Sequence, residues 1–241
     1  MGTATDMRSL SQQQTEELGG PLSILTRQKR DHERLERLLD DLAGSAVGQE
    51  QAEVLHRIAR LVFPHAFAEE SVLWPELRRV LPDGEELTLR VELEHQEVNE
   101  LWTSLETLAP SSSQRADIVA RLAEVLREDV RDEEDELLPR LQEAVGRRRL
   151  QVLGLAWEAV RRTAPTRPHP VVSRRPPGNA VAALPLTVLD RSRDVLDGLA
   201  RRSPHLRGAA ASSSGRLASL AGHVERWGLM RRGEDPSTKR G

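Results

Sequence analysis

Two stretches decide how this chain folds: HAFAEESVLWPEL, residues 65–77, and DVRDEEDELLPRL, residues 129–141. At an offset of 64 they share one pattern. His65 or Asp129 is followed four residues later by an acidic pair, Glu69-Glu70 or Glu133-Glu134, and then by Leu73, Pro75 and Leu77 or Leu137, Pro139 and Leu141. The segments before them repeat as well, Asp31-His32-x-x-Leu35-x-x-Leu38 returning as Glu94-His95-x-x-Val98-x-x-Leu101 at an offset of 63. Such a repeat reads as a duplicated helical hairpin, and two copies stacked antiparallel make a bundle with a pseudo-two-fold axis. Equivalent positions of the copies then face one another.

Working outward, apolar residues recur at helical spacing over residues 21–43, 50–80, 85–108 and 112–145. Gly44-Ser45, Pro82-Asp83-Gly84 and Pro110-Ser111-Ser112-Ser113 supply turn chemistry between them, and connections this short make neighbouring helices antiparallel. The predicted fold is all-α, an up-down-up-down four-helix bundle over residues 21–162 that includes a short fifth helix at 147–162. Residues 1–20 read as a disordered tail. The run TAPTRPHPVVSRRPPGN is too rich in proline to continue a helix, so residues 163–183 read as a linker. Residues 184–241 read as a basic C-terminal extension with two weak helices at 187–202 and 216–231.

Composition narrows the chemistry. Aromatic residues are 2% of the chain, Tyr is absent, and Leu, Ala, Glu and Arg dominate, which favours helix over strand. With no Cys, disulfides, zinc–thiolate sites and iron–sulfur clusters are excluded, and any metal has to be held by His and carboxylates. Neither a signal-like apolar core near the N-terminus nor a run of about 20 apolar residues is present, so a cytoplasmic protein without a membrane partner is expected. Charge is uneven. Residues 1–164 hold 21 Lys and Arg against 32 Asp and Glu, whereas residues 165–241 hold 14 against 6. The acidic part is a poor nucleic-acid binder, and the arginines of the basic part are scattered, so a solvated tail is expected there and no nucleic-acid partner.

The helical wheel shows where the bundle departs from a hydrocarbon core. His32 shares a stripe with Leu25, Leu35 and Leu39; His65 and Glu69 share one with Val54, Ile58, Leu61 and Val72. His95 lies among Val91, Val98, Trp102 and Leu105, while Asp129 and Glu133 interrupt Ile118, Leu122, Val125 and Leu137. Three imidazoles and three carboxylates therefore point into one core. A buried, unpaired carboxylate costs roughly several kcal/mol, and no Lys or Arg on these stripes offsets it. A metal supplies the missing charge; His with Asp and Glu suits iron, manganese or zinc. Six ligands from four helices exceed what one tetrahedral zinc takes, and carboxylates from facing helices can bridge two ions about 3.5–4 Å apart. A metal-free polar network is the competing reading of the same residues.

At these residues the sequence resembles the hemerythrin HHE cation-binding family. The matching elements are the isolated His32, the His65-x-x-x-Glu69-Glu70-x-x-Leu-x-Pro block, the Glu94-His95 start and the Glu133-Glu134-x-x-Leu-Leu-Pro block. Pro-Thr-Arg-Pro-His-Pro, residues 165–170, is similar to the longer bacterial members, so the resemblance spans about residues 20–170. It implies a site of two non-heme irons, with Glu69 and Glu133 as bridging carboxylates and His32, His65 and His95 as terminal ligands. Asp129 stands where the family pattern has His. A carboxylate there keeps a ligand but adds negative charge, which favours oxidised irons and argues against reversible oxygen carriage. Asn99, four residues after His95, does not supply the additional His of oxygen-carrying members.

The expected metal ligands are thus His32, His65, Glu69, His95, Asp129 and Glu133. Glu70 and Glu134 lie 100° away on the wheel, so flank or solvent is expected for them; Trp74 and Trp102 read as core. His56 should face away from the site, and His169, His205 and His223 read as ordinary polar residues. The expected function is binding or sensing of oxygen, peroxide or nitric oxide at two irons. A helical scaffold with a degenerate metal site and a di-iron oxidase are the alternatives. No phosphate-binding glycine loop, serine elbow or cysteine nucleophile is present.

Overall fold

The computed structural model describes residues 8–109 and 111–238; Pro110 of the expected third turn and residues 1–7 of the expected tail lie outside this range. It is all-helical, with no strand among the described residues. Helix α1 spans Ile24–Gly44, begins with Ser23 Oγ accepting a hydrogen bond from the amide of Leu25, and turns into α2, Gln49–Ala68. A π-helical turn, Glu69–Leu73, carries α2 into α3, Trp74–Val80. The second copy runs α4, Gly84–Thr107, then α5, Ser113–Asp132, a second π turn, Glu133–Leu137, and α6, Leu138–Ala144. Helix α7, Arg147–Thr163, closes the bundle against the start of α1, where Gly154 lets the backbones meet: a Cβ there would lie 2.1 Å from the carbonyl oxygen of Leu22.

Proline explains the two π turns. Pro75 and Pro139 sit in the first turn of α3 and α6. Each lacks the N–H for an α-helical bond to the carbonyl four residues back, at Ser71 or Asp135, and its ring clashes with that carbonyl. Widening the preceding turn to i→i+5 bonding relieves the clash without ending the helix. A proline inside a helix ordinarily kinks or ends it; here the turn before it is widened at both positions.

Two apolar layers hold the bundle. One gathers Leu38, Leu42, Ile58, Val98, Trp102 and Leu122 from the ends of the helices joined by the short turns; the other gathers Ile24, Leu77, Val91, Leu141, Leu153 and Trp157 at the opposite end. Fully burying a side chain of this size contributes about 1.5–3 kcal/mol, so these layers fix the helix register. Between them lies a polar layer containing Gln28, His32, Glu69, His95 and Glu133.

The segments flanking the bundle differ from expectation. Residues 8–20, expected to be disordered, form a short 3-10 turn at Leu10–Gln12 and further turns, with Leu10 and Leu18 fully buried in the second apolar layer. Residues 164–177, expected as a linker, run without helix along α4. The amide of His169 donates to Asn99 Oδ1 (3.0 Å), Gln96 Nε2 donates to the carbonyl of Pro170 (3.3 Å), and Arg175 Nη2 pairs with Glu92 (2.8 Å). Helices α8, Gly178–Arg202, and α9, Arg207–Glu225, then form a hairpin around Val172, Ala182, Leu186, Ala221, Val224 and Met230. The basic part therefore folds back on the acidic bundle in place of the solvated tail expected for it. No helix among the described residues is long and apolar enough to cross a membrane.

Candidate metal centre

The four helices of the bundle bring all six expected ligands into the polar layer. His32 comes from α1, His65 from the end of α2, Glu69 from the first π turn, His95 from α4, Asp129 from α5 and Glu133 from the second π turn. His65 Nε2 lies 2.9 Å from Glu69 Oε1, His32 Nε2 lies 3.2 Å from Glu133 Oε2, and His95 Nε2 lies 3.7 Å from Glu69 Oε2 and 3.5 Å from Asp129 Oδ1. Donor atoms within 4.8 Å of one another form two groups, His32, His65, Glu69 and Glu133 on one side and His95, Asp129 and Glu133 on the other. Glu133 belongs to both.

Each imidazole is oriented from its far side. His32 Nδ1 bonds Glu134 Oε1 and His95 Nδ1 bonds Glu70 Oε1, both at 2.9 Å, while His65 Nδ1 lies 3.6 Å from Asp31 Oδ2. A carboxylate only accepts, so in His32 and His95 the hydrogen-bonded Nδ1 carries a proton and Nε2 is the atom turned to the interior, the arrangement a metal ligand needs. Glu70 and Glu134 are buried, not on the flank or in solvent as expected. The reason is the π turn: it turns less per residue than an α-helix, so both members of each acidic pair reach the core, the first facing the centre and the second backing a histidine. The repeated acidic pair was the signal available for this in the sequence.

The residues fit a cation group. Glu69 Oε2, both oxygens of Glu133, His95 Nε2 and Asp129 Oδ1 are buried without any hydrogen-bond partner, although each is a strongly polar atom whose burial alone is costly. Gln28 Nε2 donates to Glu69 Oε1 at 2.7 Å and leaves the other oxygen free to face the second group. Trp157 stands edge-on to His65 with ring centroids 5.2 Å apart, and Trp74 stacks near His95 at 6.3 Å, so the second apolar layer borders the site through both tryptophans.

The electrostatics of these residues point the same way. Burial by itself depresses the imidazoles, but neighbouring carboxylates outweigh it. His65 is pushed up to about 10 by Glu69 and Asp31, His95 to about 10 by Asp129 and Glu70, and His32 lies well above its usual range beside Glu133 and Glu134. Burial and the Glu69 charge raise Glu133; burial and the Glu133 charge raise Asp129. These shifts share one cause, buried carboxylates crowded together, and a bound cation would offset the same negative charge and compete with protons for these atoms.

Of the remaining histidines, His56 lies on α2 outside this layer. His169, read from the sequence as an ordinary polar residue, is buried: Nδ1 lies 2.8 Å from Glu225 Oε1 and Nε2 lies 3.1 Å from Asp190 Oδ2, tying the segment after α7 to α9 and α8. Burial would lower it, and the two carboxylates push it up to about 9.

Comparison with known proteins agrees with this geometry. The family description "Hemerythrin HHE cation binding domain" matches residues 23–141, the span from the N-cap of α1 to α6. An uncharacterized hemerythrin-like protein of Schizosaccharomyces pombe is 25% identical over 134 residues, 55% of this chain and 66% of that protein. A protein of a Nostoc species named DNA nickase is 30% identical over 109 residues, 45% of this chain and 30% of its own length. This chain thus spans less than two thirds of either relative. No solved structure matches it. From the duplicated hairpins, the inward ligand set and the matched span, the chain belongs, through residues 23–141, to the hemerythrin HHE cation-binding family.

Proposed function

We propose that the chain holds two non-heme irons and binds or senses oxygen, peroxide or nitric oxide through them. The observation that carries this reading is the pair of donor groups joined by Glu133. His32, His65, Glu69 and Glu133 would hold one iron, and His95, Asp129 and Glu133 the other, with manganese or zinc as substitutes of similar ligand preference. Bound iron would supply one-electron redox chemistry and a position for a small ligand. The chain's own residues fix the imidazole tautomers, exclude water with Trp74 and Trp157, and supply the carboxylates that span the two groups.

The size of the space favours a small ligand over an organic substrate. A cavity of about 20 Å³ opens beside the donor atoms, lined by His32, Leu35, Leu61, His65, Leu126 and Asp129. One water needs about 10–15 Å³ by the same measure, so this space is on the scale of the ions and a small ligand and has no room for an organic substrate. This supports small-ligand binding over the di-iron oxidase alternative, which needs room for a reductant or substrate. A cytoplasmic location belongs to the same proposal, and neither a nucleic acid nor a membrane is proposed as partner.

The test is reconstitution with ferrous iron under anaerobic conditions, followed by metal analysis and optical spectra before and after oxygen, peroxide or nitric oxide is added. Two irons per chain and a ligand-dependent spectrum are expected. A helical protein that retains little or no iron would instead leave the scaffold reading.

A further inference from the structure

Each histidine of the centre faces an outer carboxylate, and two of those carboxylates, Asp31 and Glu70, meet a cation from outside residues 23–141, Asp31 in addition to its neighbour Arg30 at 3.5 Å. Arg161 of α7 lies 3.7 Å from Asp31, which faces His65. Arg174, in the irregular segment after α7, reaches through the bundle surface and places Nη1 3.8 Å from Glu70 Oε1, the same oxygen that takes His95 Nδ1 at 2.9 Å. Glu134, behind His32, pairs with no Lys or Arg among the described residues. The duplicated hairpins are therefore unequal in charge at equivalent positions.

Arg174 is built into this position. Its side chain is 10% exposed, and Nη2 donates to Gln96 Oε1 at 2.9 Å. Its amide donates to Glu234, and its carbonyl accepts from Asn179 Nδ2 at 3.1 Å, so α8 and the residues after α9 hold the main chain on both sides. A guanidinium keeps its charge at every accessible pH, and one buried this far is little screened by salt. We infer that Arg174 is a positioning residue of the metal centre, a fixed positive charge that the C-terminal segment delivers behind Glu70 to orient His95 and favour the reduced state of the group containing Asp129. The inference rests on the di-iron reading. It also assigns the C-terminal segment a role: residues 164–238 complete the charge balance of a centre whose ligands all lie in the family-matched span.

The test uses the full chain loaded with iron, with Arg174→Gln and Arg174→Met as neutral variants and Arg174→Lys as the charge-keeping one. Iron content is measured first, then the midpoint potential, then the melting temperature. The expected result is two irons in every variant, a lower potential in both neutral variants and a potential close to the parent's in Arg174→Lys. Loss of iron from the neutral variants with retention in Arg174→Lys would also support the charge. Iron retained with an unmoved potential in the neutral variants would overturn the inference and leave the di-iron reading standing. So would an equal potential shift, or an equal loss of iron, in all three variants, because the side chain would then matter only for packing. A parent that binds no iron would overturn both.

Discussion

Glu133 Oε2 lies 3.2 Å from His32 Nε2, yet neither oxygen of Glu133 accepts a hydrogen bond, and the side chain is 1% exposed. It is also the one residue common to both donor groups. Glu133→Ala is therefore expected to take a ligand from two positions at once and bring iron content from two toward none. Glu69→Ala should lose much of it, and His56→Ala should retain it, as metal analysis of the three purified variants will show. Equal iron in Glu133→Ala and His56→Ala would contradict the shared-ligand geometry.

Glu70 and Glu134 touch the centre only through His95 and His32. Substituting Gln keeps the shape but weakens the acceptor that fixes each tautomer. Loss of such a partner costs about 10–100-fold in metal affinity. Competition against a chelator of known strength measures it. An unchanged affinity in both variants would mean that the tautomers are set by something else.

Metal that binds only the folded chain stabilises it by mass action, by about 2.7 kcal/mol at a free concentration 100 times the dissociation constant. Chelation is thus expected to lower the melting temperature of the parent and to have little effect on Glu133→Ala. A parent whose melting curve ignores the chelator would argue against a metal held by these residues.

The duplicated blocks were readable because apolar spacing records which side of a helix is buried, and His32, His65, Glu69, His95, Asp129 and Glu133 all fall on such a side. Glu70 and Glu134 escaped that reading because a wheel at 100° per residue assumes α-helical geometry, and Pro75 and Pro139 open the turns just before them. His169 and Arg174 escaped it for another reason. They sit in chain without a period, and their partners Glu225 and Glu70 are 56 and 104 residues away, at separations no local pattern encodes. Residues 8–20 looked like a tail because two buried leucines in a short polar stretch make no recognisable stripe.

His169 predicts a pH dependence for the C-terminal segment. Its folded value of about 9 lies above the ordinary 6.5, so the charged imidazole stabilises the fold fully below pH 6.5, and that contribution is lost as pH rises through about 9. Hydrogen exchange in residues 164–238 should speed up over this window in the parent. In His169→Gln the pH dependence should vanish, and at neutral pH the segment should be less stable by about 3–5 kcal/mol, the usual cost of leaving a buried partner charge unpaired. Flat exchange in the parent across the window would show that Asp190 and Glu225 do not hold the imidazole in its charged form.

Asp129 carries the last prediction, since it is the position where the two hairpins differ, His65 in one and a carboxylate in the other. Its Oδ1 is buried, lies 3.5 Å from His95 Nε2 and has no hydrogen-bond partner, which fits the ligand role proposed for it. A carboxylate ligand places more negative charge on the metal than an imidazole does and so stabilises the oxidised state. Asp129→His, which makes the hairpins alike, should keep two irons and raise the midpoint potential. Asp129→Asn removes the charge and leaves a weak neutral oxygen, and it should lose iron from the group of His95 and Glu133. Metal analysis with a redox titration separates the outcomes. If Asp129→His bound no iron while Asp129→Asn bound two, the carboxylate would be acting outside the ligand set, and the second donor group would have to be redrawn around His95 and Glu133 alone.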